Sequence, residues 1–158
     1  MMGAAGTRLV PYRAAHSIVT TLIAPSWQPS LILAGYGAAM LQARIARSLT
    51  GGQSWAFVAC NLSHRKGPSG LVAALAVVGH THRLLLSVYR VVYRSDDDGA
   101  TWLLSSRGLP ANRHLTIGVL FTAPDGRTVY AGNATVASDA AGHYHTLEDA
   151  PGFWLYLA

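Results

Sequence analysis

The stretch Ser95-Asp96-Asp97-Asp98-Gly99-Ala100-Thr101-Trp102 decides how the rest of this 158-residue chain is read. Before it stands Arg90-Val91-Val92-Tyr93 and after it Leu103-Leu104, with the β-branched, aromatic and apolar side chains that pair well as strands. Between them the Asp98-Gly99 step supplies a tight reversal, because Gly reaches positive φ without steric cost. The octet therefore encodes a hairpin. Inside it the Asp97 carboxylate is placed to accept N–H groups of its own turn. The Ser95 and Thr101 hydroxyls can satisfy further loop groups, and Trp102 anchors the return strand with a large apolar body. An EF-hand calcium loop is a poorer reading, since its last ligand position falls on Ser106 where Glu is required.

The same frame recurs on both sides of this octet, at a spacing that suits one four-stranded repeat. Upstream, Ser48-Leu49-Thr50-Gly51-Gly52-Gln53-Ser54-Trp55 keeps Ser48, Gly52, a hydroxyl at Ser54 and Trp55, with Thr50 where the acid stands in the octet. Downstream, Ser138-Asp139-Ala140-Ala141-Gly142-His143-Tyr144-His145 keeps only Ser138 and Gly142. The three serines are 47 and 43 residues apart. Each copy follows two apolar runs. These are Ile18–Pro25 and Leu31–Gly35, then Leu71–Val78 and Leu84–Val88, then Ile117–Pro124 and, past an Asp125-Gly126 turn, Val129–Gly132. Ile23-Ala24-Pro25 matches Thr122-Ala123-Pro124, and Ala34-Gly35 matches Ala131-Gly132, outside the residues that defined the frame. The unit reads strand, strand, strand, hairpin, strand. Ala38–Arg47 is rich in helix formers, yet the register of the following hairpin calls for a strand there.

The octet satisfies every fixed position of S-x-D-x-G-x-T-W, and so resembles the Asp-box of BNR-repeat, sialidase-like and WD40/YVTN-like β-propellers. The resemblance implies an all-β fold, a partial propeller of about three four-stranded antiparallel blades. The blades would span about 16–62, 70–109 and 114–151, between an N-terminal segment 1–15 and a further strand opening at 152–158. The structural box residues would be Ser95, Asp97, Gly99, Thr101 and Trp102, then Ser48, Gly52, Ser54 and Trp55, then Ser138 and Gly142. In the resembling enzymes these residues hold the fold and do no chemistry. Sialidases act through a Tyr nucleophile, which the family assists with a Glu, an Asp acid/base and three arginines. Here the one Glu is Glu148, beside Asp149, and Tyr12-Arg13-Ala14-Ala15 stands where an Arg-Ile-Pro element is expected. No catalytic residue is assigned on that pattern. The resemblance thus implies a non-catalytic module that engages a protein or a glycan, as related bacterial repeat proteins do; the alternative is a fragment of an exo-sialidase-like glycoside hydrolase.

Composition narrows the field further. Hydrophobic residues make up 51% of the chain, enough for a folded core. Closed propellers generally have four to eight blades, so three units call for further blades or a second copy to close a ring. The net charge of +5 comes from eleven arginines scattered without a run, beside the single Lys66, which argues against a nucleic-acid partner. Cys60 is alone, so no internal disulfide forms. The start Met1–Arg8 shows no signal peptide, which makes the cytoplasm the default location, although the resembling family is often extracytoplasmic. No apolar run is long enough for a membrane-spanning helix. His80-Thr81-His82 and His143-Tyr144-His145 would each put two imidazoles on one strand face, but neither pair brings a third ligand. No metal or cofactor is assigned.

Overall fold

The computed structural model describes residues 18–37, 43–58, 62, 72–79, 81–89, 91–107, 109, 117–133, 136–138, 144–146 and 153–157. All regular structure among them is β. The strands are β1 (Ile18–Ile23), β2 (Ile32–Gly37), β3 (Arg44–Ser48), β4 (Ala56–Phe57), β5 (Val72–Val78), β6 (Arg83–Val88), β7 (Val91–Ser95), β8 (Leu103–Leu104), β9 (Ile117–Thr122), β10 (Thr128–Asn133), β11 (Val136–Ser138), β12 (Tyr144–Thr146) and β13 (Phe153–Leu157). Among the described residues no helix is long and apolar enough to cross a membrane.

Two sheets are antiparallel meanders in chain order, β1-β2-β3-β4 and β5-β6-β7-β8. The helix-forming composition before Ser48 does not prevail over pairing: Arg44–Ser48 is a strand, joined to β2 through Ala34↔Ala46 and to β4 through Ala46↔Phe57. Ala38–Gln42 lie outside the described residues. The third unit departs from the four-stranded expectation. Its strands divide between a three-stranded sheet in the order β13-β10-β9 and a separate hairpin of β11 and β12. The tail strand β13 runs antiparallel to β10, with Tyr130 opposite Leu155.

Register reveals a repeat that composition does not. In each unit the first strand carries one extra residue near its start, bulged between pairs with the second strand: Thr20, Ala73 and Gly118 respectively. A bulge at one position bends and twists the strand in the same way each time. Counting from it makes Leu22, Leu75 and Leu120 equivalent, and likewise Leu33, Leu85 and Tyr130.

The sheets stack face to face in chain order, with β5 packed against β1 and β2 on one side and against β9 on the other. Leu31, Leu33 and Ile45 of the first sheet bury themselves against Val72, Leu75, Leu84 and Leu86 of the second. Ala76, Val78, Leu85 and Val92 on the second sheet's other face meet Ile117, Val129 and Ala131 of the third. The first junction is close because Gly35 has no side chain: a Cβ there would overlap Val72 and lie 2.7 Å from Thr21 Cγ2. Hydroxyls stitch the same surfaces. The bulged Thr20 donates towards the carbonyls of Gly35, at 3.1 Å, and of Val72 in the next sheet. At the second junction Ser87, equivalent to Gly35, donates to Ile117 O at 3.0 Å, and Thr122 donates back to Val77 O at 2.5 Å. Each junction is thus an apolar layer with polar pins at its margin.

Candidate functional site: a rim of hairpin loops

In a meander the first and third turns fall at the same end of the sheet. The turns at 24–31, 49–55, 79 with 81–82, 96–102 and 123–127 therefore form one rim of the stack, and every described Asp lies on it. The octet at 95–102 is built from its serine outward. Ser95, at the end of β7, is buried, and its Oγ accepts the Gly99 N–H at 2.9 Å and donates to Asp97 Oδ1 at 2.8 Å. Asp97 in turn accepts the Thr101 amide at 2.8 Å and the Thr101 hydroxyl at 2.6 Å. Trp102 closes the loop by donating Nε1–H to Gly99 O at 3.2 Å. Burial alone would raise the Asp97 carboxyl, but the Thr101 hydroxyl and amide, the Ser95 hydroxyl and the Ala100 amide together hold it below the ordinary carboxylate range.

The loop at 48–55 repeats this wiring atom for atom with a hydroxyl in place of the acid. Ser48, also buried, accepts the Gly52 N–H at 2.9 Å, and Thr50 Oγ1 accepts the Ser54 amide at 2.9 Å. The Thr50 and Ser54 hydroxyls lie 2.9 Å apart, and Trp55 donates to Gly52 O at 3.0 Å. Even the backbone agrees, since Gly51-Gly52 and Asp98-Gly99 all have positive φ. Of the third copy, Ser138 ends β11 and pairs with Tyr144, while Gly142 lies outside the described residues. The return strand there begins two residues sooner than in the other two loops, so the third hairpin is shorter.

The two complete loops differ in what their second residue does. Asp96 ties the rim of the second sheet together: Arg83 Nε donates to its Oδ1 at 2.7 Å and Arg94 Nε stands 2.9 Å from its Oδ2. At the equivalent place in the first loop stands Leu49, so Arg47, equivalent to Arg94, has no carboxylate at that position; the buried Nε of each arginine makes no hydrogen bond among the described residues, and that of Arg94 has only its ion pair with Asp96. Asp98 reaches across sheets. It accepts the Trp27 indole N–H at 2.9 Å and lies 3.5 Å from His82 Nδ1, while His82 is tilted over Trp27 with centroids 5.0 Å apart. Asp125 closes the β9–β10 turn by accepting the Thr128 amide at 2.9 Å, the Thr128 hydroxyl at 2.7 Å and the Arg127 amide at 2.8 Å, which lower its carboxyl below the ordinary range. All four described carboxylates therefore serve turns or ties within and between sheets.

His82 sits in the turn before β6 with a φ of 56°, so the strand geometry expected of His80-Thr81-His82 does not apply to it. His80, His143, Asp139, Glu148 and Asp149 lie outside the described residues, as do Cys60 and Tyr12–Ala15. Among the described residues no three His, Cys, Asp or Glu side chains gather as metal ligands. The contacts between Trp27 and Asp98, 71 residues apart, and between Gly99 and Leu33 were invisible to a reading by spacing, because no local signal marks them. The rim offers stacking surface at Trp27 and His82 beside the charged side chains of Arg83, Arg94 and Asp96. No protein-family model matches the chain, and a search of curated proteins returns no significant match.

Proposed function

We propose that the chain is a non-catalytic module of the Asp-box β-propeller type, whose rim loops engage a protein or a glycan. The observation that carries this reading is the shared wiring of 48–55 and 95–102. Two loops with different acid and hydroxyl content converge on one bonding pattern, as copies of one structural device would. The engagement of Asp96 by arginines, of Asp97 and Asp125 by their own turns and of Asp98 by Trp27 supports a structural use of these carboxylates over that of a general acid or base, which must be free to exchange a proton with substrate.

Incubation with a fluorogenic sialoside and screening on an immobilised glycan array test the proposal together. The expected result is no sialoside release above buffer, with saturable binding to a protein or glycan ligand that Trp27→Ala and Arg83→Ala weaken. Turnover that scales with protein concentration would overturn it in favour of the glycosidase. Binding indifferent to both substitutions would move the contact away from the rim.

A further inference from the structure

We infer that the two outer faces of the stack are complementary halves of one further junction, and that a second copy of this chain fills them, head to tail. The argument is one of register. The face that each sheet turns towards its predecessor is marked by Val19 and Leu22 in the first sheet, Val72 and Leu75 in the second, and Ile117 and Leu120 in the third. Val72, Leu75 and Ile117 are 0%, 6% and 0% exposed, whereas Val19 and Leu22 are 50% and 61% exposed. The face turned towards the successor shows the mirror pattern. Leu33 in the first sheet and Ala76 and Leu85 in the second are 0%, 5% and 1% exposed, while their equivalents in the third, Phe121 and Tyr130, are 57% and 41% exposed, with Val119 beside them at 52%.

Large apolar side chains therefore lie bare at those positions whose equivalents are buried one sheet further along. Scattered apolar exposure is ordinary, and Ile18, Leu49, Phe57, Tyr89, Leu103 and Leu104 show it elsewhere; what an unfinished stack leaves is exposure on both outer faces at positions whose register equivalents are buried in the neighbouring sheets. The faces are also chemically matched: the first sheet offers aliphatic Val19 and Leu22, the third the aromatic pair Phe121 and Tyr130 with Val119. They differ from each other, so a contact between copies is heterologous, and two such contacts about a two-fold axis close both ends of both chains. That closure as a six-unit ring rests on the propeller reading above; the junction itself rests only on the register and burial of the described strands.

Analytical ultracentrifugation of the 158-residue chain at micromolar concentration should give a species of twice the 16.7 kDa chain mass. Leu22→Asp and Phe121→Asp, each spoiling one exposed face, should each lose much of that species, since in any pair of identical variants both junctions then carry one spoiled face. An equimolar mixture of the two variants should recover association, because it restores one junction with both faces native. A monomeric parent overturns the inference, as does a dimer that survives both substitutions or a mixture that behaves as its components do. Circular dichroism of each variant matching the parent excludes misfolding. The outcome is independent of the sialoside and glycan measurements, so a monomer would leave the proposed function standing and sialoside turnover would leave the junction standing.

Discussion

Thr50 and Asp97 occupy one position in two copies of the same loop, and the difference between them sets what each loop contributes. Thr50 accepts the Ser54 amide with a neutral hydroxyl, whereas Asp97 accepts three bonds with a carboxylate. Hydrogen bonds to an ionised acceptor are roughly twice as strong as neutral ones. Thr50→Asp should therefore stabilise the protein by about 0.5 to 1 kcal/mol near neutral pH, read by urea unfolding. Asp97→Ala should cost about 1 kcal/mol, since Thr101 is exposed and water replaces the lost acceptor. Ser95→Ala should cost about 1 to 3 kcal/mol, because the Gly99 N–H it abandons is buried. The Asp97 deficit also carries a pH signature. Its carboxyl titrates lower in the folded state than in the unfolded chain, so its stabilisation is complete above the unfolded value of about 4. It is lost as pH falls through the lower folded value. The gap between parent and Asp97→Ala should hold constant from neutrality to about pH 4 and close below it; Asp125 titrates in both proteins and cancels. A gap that widened in acid would show that the carboxylate is not the acceptor.

At the scale of the element, the loops and most strands were legible because their determinants are local. A hydroxyl, an acid or its substitute, a glycine and a Trp at fixed spacing specify the bonds of 48–55 and 95–102 without help from elsewhere in the chain. Strand β3 was harder, since Ala, Gln and Arg around it favour helix, and its pairing with β2 and β4 prevails. The pairing of β13 with β10 had no local signal at all, because a short apolar strand does not say which edge it will join. Nor did the sequence distinguish a glycine needed only for its turn from one needed for packing. Gly51 has a φ of +65° with nothing within 4 Å of an added Cβ, while Gly99 has a φ of +80° and its Cβ would overlap Leu33 of the neighbouring sheet. Gly51→Ala should cost about 1 to 2 kcal/mol from left-handed strain alone. Gly99→Ala should add about 1 to 3 kcal/mol for displacing the fully buried Leu33. Equal unfolding midpoints for the two variants would contradict the close approach of the second loop to the first sheet.

Among the described residues the central sheet alone has both faces covered, by the first sheet through Leu75, Leu84 and Leu86 and by the third through Ala76 and Leu85. A stack whose units touch only their neighbours behaves as a one-dimensional chain of interactions, in which the middle member couples the ends. Leu86 is fully buried against the first sheet, and Val129 is fully buried against the second. Removing the Leu86 side chain should cost about 2 to 5 kcal/mol. In the Leu22→Asp background, which weakens association between copies, Leu86→Ala should raise native-state amide exchange in β1–β3, β5–β7, β9 and β10 together. Val129→Ala in the same background should raise it in β9 and β10 and leave β1–β3 as they were. The asymmetry follows from position in the stack and not from the size of the side chain removed, since local opening needs only the contacts that separate a unit from its neighbour. If Val129→Ala accelerated exchange in β1–β3 as strongly as in β9 and β10, the sheets would unfold as one body and the nearest-neighbour description would fail. The Thr20 hydroxyl gives a second check on the same coupling, because it pins the first sheet to Val72 O without adding apolar contact. Thr20→Val should raise exchange in β1 and β2 while β9 and β10 keep the parent's rates.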